Sequence, residues 1–432
     1  MFYMIKKAIN KLLVATILTV LILSCSGHSD KKPLILLRSG WQIENIGDIA
    51  HTPGFLALAE KYIPEAEVYF WPFYHHIPEA EIAIFKERFP SLKVVYGTLS
   101  VDGKASTPEL ADAIAAADLF INNSGPSTLG WEEAMTFKKI TGKPYGVYGV
   151  TYGLYGVPEK EMLSGAAFVF FRDTVSMVRA KAEGVRASIV GFAPDAAFAT
   201  DLTDDAKAEE FLRANGLDEQ QFICCIPKHR FTPNWLHEIK KRPFDAERHA
   251  HNEAMKEHDH APMVAAITEI ARTTDLHVLI VHEDETEIPI GKEWVYDKLP
   301  EDVKPRVVWH NRKWLPDEAI SIYKRSVGLF SHEMHSPIFC IGHGIPAIVV
   351  RWEEQSSKGT MWETIGLGEW LFDFDNEEDV QRYLPTVLSI ARNPEAAKAK
   401  AETAKNFVEK KQEETMKVVR SFLYKDGLKS NY

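Results

Sequence analysis

The chain has 432 residues, of which 45% are hydrophobic and 26% charged. That length suggests two domains or three, and the composition excludes a disordered, collagen-like or coiled-coil chain. Lys and Arg number 50 against 61 Asp and Glu, giving a net charge of −11, so nucleic acid is not an expected partner; four cysteines exclude a disulfide scaffold.

Residues 1–24 have the layout of an export signal. Lys6, Lys7 and Lys11 form a basic flank, residues 12–23 are apolar apart from two threonines, and Ser24 precedes Cys25. The apolar run is shorter than the about 20 residues a membrane span needs. Residues 22–25 (ILSC) resemble a bacterial lipobox, which implies lipidation at Cys25 and a polar tether over 25–33. The alternatives are a plain signal peptide or an uncleaved anchor. The expected location is therefore the bacterial cell envelope, as an exported lipoprotein held to the membrane by its N-terminal lipid. Loss of three lysines takes the charge from −11 to −14.

From residue 33 the chain alternates short apolar runs with amphipathic stretches. Strands are expected over 33–37 (PLILL), 67–70, 93–96, 119–122 (LFIN), 144–150, 167–171 (AFVFF) and 187–190. Helices are expected over 54–61, 80–89, 108–117 and 129–140. Apolar runs of four or five, separated by helices, indicate a parallel sheet covered on both faces. The pattern restarts near residue 205. A helix over 205–215 leads to strands over 222–226 (FICCI), 277–281, 306–309, 327–331 and 347–351. Helices are expected over 262–273, 316–325, 336–342 and 395–424. The fold expectation is α/β, two Rossmann-like doubly wound domains facing a cleft. Its bounds are 34–203 and 204–385, with an insertion over about 228–261 and a C-terminal helix over 386–432, which packs outside or crosses back to the first domain.

Cys224 and Cys225 are neighbours in a strand and so face opposite ways. With Cys340 they are expected to be buried thiols. The insertion carries His229, His237, His249, His251, His258 and His260. Six histidines can ligate a metal, but pairs spaced i, i+2 do not share a helix face. A solvated helical insertion is the expectation, with no metal and no cofactor. Trp41, Trp71, Trp235, Trp309, Trp314, Trp352 and Trp362 fall near strand ends or loops, where an aromatic either stacks on a sugar or completes a core.

Several polar loops follow strands. Asn45-Ile46-Gly47-Asp48 follows the first strand at the start of a helix, and such a turn can present backbone N–H groups to an anion. Ser124-Gly125 follows LFINN. Arg172-Asp173, with Ser176, follows AFVFF, and Pro194-Asp195 comes next. In the second half, Glu333-Met334-His335 heads a short helix before Gly344-Ile345-Pro346. Taken in order, with Lys143-Pro144, these elements over 34–375 resemble the polysaccharide pyruvyl transferase family. That family has a fold like glycosyltransferases of the two-Rossmann (GT-B) type.

The resemblance implies transfer of a pyruvyl group from phosphoenolpyruvate to two hydroxyls of an envelope polysaccharide sugar, forming a ketal. It implies His335 as the acid and Arg172 as the anion clamp. Asn45, Gly47, Asp48, Ser124, Gly125, Glu333, Met334 and Arg351 are the implied substrate-binding residues. One departure stands out: the family has arginine where this chain has Glu333, which would repel an anionic donor. Arg312, Arg351, Lys228 and Arg230 are the cations available to compensate. The simpler roles are a helix cap for Asp173 and Ser176, a carboxylate partner for Arg172, and a satisfied loop residue for His335. The alternatives to transfer are an inactive glycan-binding lipoprotein and a different glycan-modifying transferase.

Overall fold

Four apolar side chains in a row at 34–37 bury both faces of a strand. In the computed structural model, which describes residues 32–424 apart from 41, 75–76, 126 and 154–158, they open β1 (Leu34–Ser39), all of it buried. Leu34 and Leu36 enter one core and Ile35 and Leu37 another, as the two-residue period of a strand requires. Cys25 and Trp41 lie outside the described residues.

The remaining strands of the first sheet are β2 (Glu67–Pro72), β3 (Lys93–Val94), β4 (Leu119–Gly125), β5 (Tyr145–Val150), β6 (Phe168–Phe171) and β7 (Ile189–Phe192). All pairs are parallel, in the order β3-β2-β1-β4-β5-β6-β7. The second sheet contains β8 (Phe222–Ile226), β9 (His277–Ile280), β10 (Val307–Trp309), β11 (Leu329–Ser331), β12 (Ala347–Arg351) and β13 (Leu371–Asp373). It is also parallel, in the order β10-β9-β8-β11-β12-β13. Both orders reverse direction beside their first strand, at β1/β4 and at β8/β11. Loops at such a switch point, at the carboxyl ends of the strands, form the binding crevice of an open α/β sheet.

Two helices run longer than their sequence signals. α1 (Ile46–Tyr62) begins at the Asn45–Asp48 turn and continues without a break through Pro53 into the stretch expected over 54–61. Asn45 caps it, its side chain accepting from Gly47 N at 2.7 Å. α2 (Ala246–Thr273) continues through Pro262, a residue that suits a first helical turn and so suggested a start there. Its true cap is Asp245, which accepts from Arg248 N at 3.0 Å. The stretch 246–258 is mostly exposed and so lacks the apolar period that signals a helix. The insertion is not fully solvated: His237 and His260 are buried, with His237 Nε2 3.0 Å from Asp284 and His260 Nδ1 2.6 Å from the Lys256 carbonyl.

The last helix, α4 (Pro394–Ser421), follows α3 (Glu377–Arg392) and crosses back to the first sheet. Met416 and Val419 join the core around Ile35 and Leu37, and Tyr148 Oη lies 3.0 Å from Thr415 Oγ1. Cys224, Cys225 and Cys340 are buried, and burial pushes all three thiols up. Trp71, Trp314, Trp352 and Trp362 are core residues, so they are not open to a sugar. Trp235 is half-buried, in edge contact with Phe244. Among the described residues no helix is long and apolar enough to cross a membrane.

Candidate active site

The two switch points face one cavity of about 590 Å³, lined among others by Asn45, Asp48, Arg172, Lys228, Glu333 and His335. Every one of these residues follows a strand. Asn45 and Asp48 come after β1, Arg172 after β6, Lys228 after β8, and Glu333 and His335 after β11. His335 begins α5 (His335–Gly342), directly opposite the start of α1.

Gly47 makes that closeness possible. A Cβ there would sit 2.1 Å from His335 Cβ and Cγ. The backbone of the Asn45 turn has a different task from the one its sequence suggested. Ile46 N donates to the Glu283 carbonyl at 3.0 Å, Gly47 N to Asn45 Oδ1, and Asp48 N to the Asn45 carbonyl at 3.1 Å. These N–H groups are taken, so they do not await an anion. Asn45 also bridges Asp284. The turn thus fastens the first half to the second.

His335 sits in a network of buried groups. Its Nε2 lies 3.1 Å from His51 Nε2 and 2.9 Å from Lys358 Nζ, and its Nδ1 lies 3.4 Å from Glu283 Oε2. Between the two imidazoles one nitrogen donates and the other accepts. Burial, Lys358 and His51 hold the His335 imidazole well below its ordinary range, so it is neutral in the free protein. His51 Nδ1 lies 3.1 Å from Asp195 Oδ1. Burial alone would raise the Asp195 carboxyl, but His51 and Arg172 hold it well below the usual carboxylate range.

Arg172 is buried. It donates from Nη1 to Asp195 Oδ2 at 2.9 Å and from Nε to Thr151 Oγ1 at 2.8 Å, while its guanidinium still lines the cavity. The carboxylate-partner role and the cavity-lining role therefore coexist. Asp173 caps the next helix, accepting from Ser176 N at 2.7 Å and Ser176 Oγ at 2.8 Å.

Glu333 is ion-paired with Lys228. Burial would raise its carboxyl, and Lys228 draws it below the ordinary value. Burial and the Glu333 charge push the nearby Glu283 and Glu287 carboxyls up. Of the four candidate compensating cations, Lys228 alone reaches Glu333. Arg230 pairs with Asp259 and Asp375, Arg312 with Glu318, and Arg351 with Asp373. Arg351 therefore does not fit a substrate-binding role: it lies at the β12–β13 edge, outside the cavity lining. Met334 is buried core rather than lining. Gly125 ends β4, paired with Val150. Ser124 falls on the same strand end.

Lys358, His51 and Glu283 had no motif to announce them. Burial, then Arg172, pushes the Lys358 ammonium down. His51 stands three residues after Asp48, on the same helix face, a spacing that could have revealed it. Glu283 and Lys358 follow strands in polar loops (HED and QSSKG), the position where these sheets deliver function.

The family profile of polysaccharide pyruvyl transferase matches residues 45–354. The chain belongs to the polysaccharide pyruvyl transferase family. Its members are glycan-modifying transferases, and the match runs from Asn45 past His335, across both sheets. No curated protein matches the sequence. Among solved structures, the UDP-GlcNAc 2-epimerase of Methanocaldococcus jannaschii is similar over 90% of this chain and 99% of its own, with 15% identity and a TM-score of 0.55. A glycosyltransferase from Rickettsia africae is similar over 92% and 100%, with 13% identity and a TM-score of 0.54. An Anabaena protein solved with UDP is similar over 90% and 99%, with 11% identity and a TM-score of 0.53. These likenesses establish the two-Rossmann fold.

Proposed function

We propose that this chain transfers the pyruvyl group of phosphoenolpyruvate to two hydroxyls of a cell-envelope glycan, releasing phosphate and closing a cyclic ketal. The observation that carries this reading is the convergence of His335, Arg172 and Lys358 on one cavity, from strand ends of both sheets. Transfer needs a proton at the vinyl carbon and cations around the donor's carboxylate and phosphate. His335 is the proton donor. An anionic donor beside it raises the affinity of its ring for a proton, against the burial that lowers it in the free protein. Glu283, with its raised carboxyl 3.4 Å from Nδ1, returns the proton. Protonation at C3 leaves the positive centre at C2, where the first sugar hydroxyl adds. Phosphate then leaves as its bond to C2 breaks, and the second hydroxyl closes the ring; the first hydroxyl's proton refills Glu283 and the second's departs on the phosphate. Arg172 and Lys358 hold the anionic groups, with Arg172 fixed in direction by Asp195 and Thr151.

The same proposal places the protein on the envelope membrane through lipidated Cys25, on the strength of the lipobox-like residues 22–25. The Glu333–Lys228 pair favours one other reading, a glycan-binding protein without turnover, because it consumes a cation in the cavity. Incubating the purified chain with phosphoenolpyruvate and envelope oligosaccharides, and measuring phosphate, separates the two. Transfer predicts phosphate release that His335→Ala abolishes. Release unchanged in that variant would remove His335 from the mechanism, and glycan affinity with no release would favour the second reading.

A further inference from the structure

The cluster at the centre of the site has a geometry that proton transfer does not require. Asp48 Oδ1 lies 3.7 Å from His51 Nε2 and 3.8 Å from His335 Nε2, and the two ring nitrogens are 3.1 Å apart. A point about 2.1 Å from all three atoms exists, which is the Zn–N and Zn–O distance of protein sites. Each donor also has a polar group behind it. Gln42 Nε2 binds the other Asp48 oxygen. Asp195 stands 3.1 Å from His51 Nδ1, and Glu283 stands 3.4 Å from His335 Nδ1. A carboxyl group behind each imidazole is the kind of outer partner with which metal-ligating histidines fix ring orientation. All three candidate ligands are buried, and they come from both halves of the chain.

We propose that Asp48, His51 and His335 bind one first-row divalent cation, with zinc as the type ion. This goes beyond pyruvyl transfer and stands without it. Two imidazoles and one carboxylate leave further coordination positions, and the shared cavity lining of Asp48 and His335 turns them toward solvent and substrate. Lys358 Nζ, 2.9 Å from His335 Nε2, competes for the same lone pair. Metal and ammonium therefore exclude each other at that nitrogen. So do metal and proton donation: the loaded chain cannot protonate a substrate from His335 Nε2.

The test uses the full chain, purified in detergent and stripped of metal. Zinc is titrated by calorimetry, and cobalt(II) is titrated by visible absorption. One saturating equivalent is expected, with cobalt d–d bands. His51→Ala and Asp48→Asn each weaken binding by at least about 100-fold, and Asp195→Asn weakens it by about 10–100-fold. Lys358→Met tightens it by about tenfold or more, because a cation next to the metal is gone. A damaged fold would not tighten a site, so this variant keeps the test decisive if His51→Ala folds poorly. Zinc also raises the melting temperature of the parent chain. No saturable equivalent in the parent overturns the proposal. So does an equivalent that His51→Ala and Asp48→Asn both retain, since the metal would then sit on the histidines of α2. Phosphate release is a separate readout, so transfer can fail while zinc binding holds.

Discussion

Gly47→Ala tests how His335 is seated. Gly47 is the second residue of α1 and has helical backbone, so helix propensity alone favours alanine by up to about 1 kcal/mol. Tertiary packing predicts the opposite sign. The new Cβ would lie 2.1 Å from His335 Cβ and Cγ and 2.2 Å from Nδ1, against the roughly 3.5–4.0 Å of an ordinary carbon contact. The imidazole has little room to retreat, with His51 at 3.1 Å, Lys358 at 2.9 Å and Glu283 at 3.4 Å around it. Overpacking of this kind costs about 1–3 kcal/mol. The ring must move by more than an ångström, a misplacement that lowers turnover on the order of 100-fold. Urea unfolding reads the first effect and phosphate release reads the second. Gly216→Ala serves as the control: it meets nothing within 4 Å, so its cost is confined to a strained φ of +64° and leaves turnover intact. A Gly47→Ala chain as stable as the parent, with full turnover, would refute the seating of His335 over α1.

Lys228→Ala strands the Glu333 carboxylate in a buried site and costs about 3–5 kcal/mol, whereas Lys228→Met with Glu333→Gln recovers most of it; strictly additive urea free energies would show that the two do not interact. His282 and His310 are buried beside Trp314, and burial pushes them down to about 3 and about 2. The unfolded chain therefore binds more protons below pH 6.5, so the stability they contribute is present above that pH and is lost as pH falls from 6.5 toward 3. Each loses up to about 1.4 kcal/mol per pH unit. His310→Phe should flatten the pH dependence of unfolding free energy between about pH 6 and about pH 4 by one proton's worth, and an unchanged slope would refute the assignment. Met416→Ala, on the helix that crosses back, opens a cavity in the first core and costs about 2–5 kcal/mol by urea unfolding. A cost near zero would mean that α4 does not dock there.

The sheets were legible, the three-residue β13 apart, because most of their strands are apolar runs, so segments such as FICCI and AFVFF need no periodicity to announce them. The helix start at 246 was not, and at 46 only the capping turn was legible, not the unbroken helix from there through 61. Proline at 53 and 262 marks a helical first turn more often than an interior, and the caps Asn45 and Asp245 sit in polar stretches that also suit loops. The site divided in the same way. Asn45, Gly47, Asp48, Arg172, Glu333 and His335 belonged to motifs that could be read in order. Lys358 and Glu283 reach His335 only because the second sheet places β12 on one side of β11 and β8, then β9, on the other, a fact of tertiary order that no local pattern encodes. Arg351 illustrates the converse. It ends a strand as the functional residues do, but Asp373 at the end of the adjacent strand captures it.

The carboxylate at 333 turns a charge problem into a testable asymmetry. The Lys228–Glu333 and Arg172–Asp195 pairs are each close to neutral, which leaves Lys358 as the cation with the weakest hold on its charge. An anionic donor entering this cavity gains little from paired cations unless one of them turns toward it. Lys228 can do so at the smallest cost, because it lines the cavity and its remaining carboxyl neighbours, Glu283 and Glu287, are pushed up by burial and so hold it less firmly. Glu333→Gln removes one negative charge and frees Lys228. It should therefore lower the KM for phosphoenolpyruvate by about 1–2 kcal/mol, on the order of tenfold, with little change in kcat, because the gain is in ground-state and transition-state binding alike. Steady-state phosphate release over a range of donor concentrations measures it. A KM that rises in Glu333→Gln would mean that Glu333 holds Lys228 in the orientation the donor needs, and that the pair is the working replacement for the family's arginine.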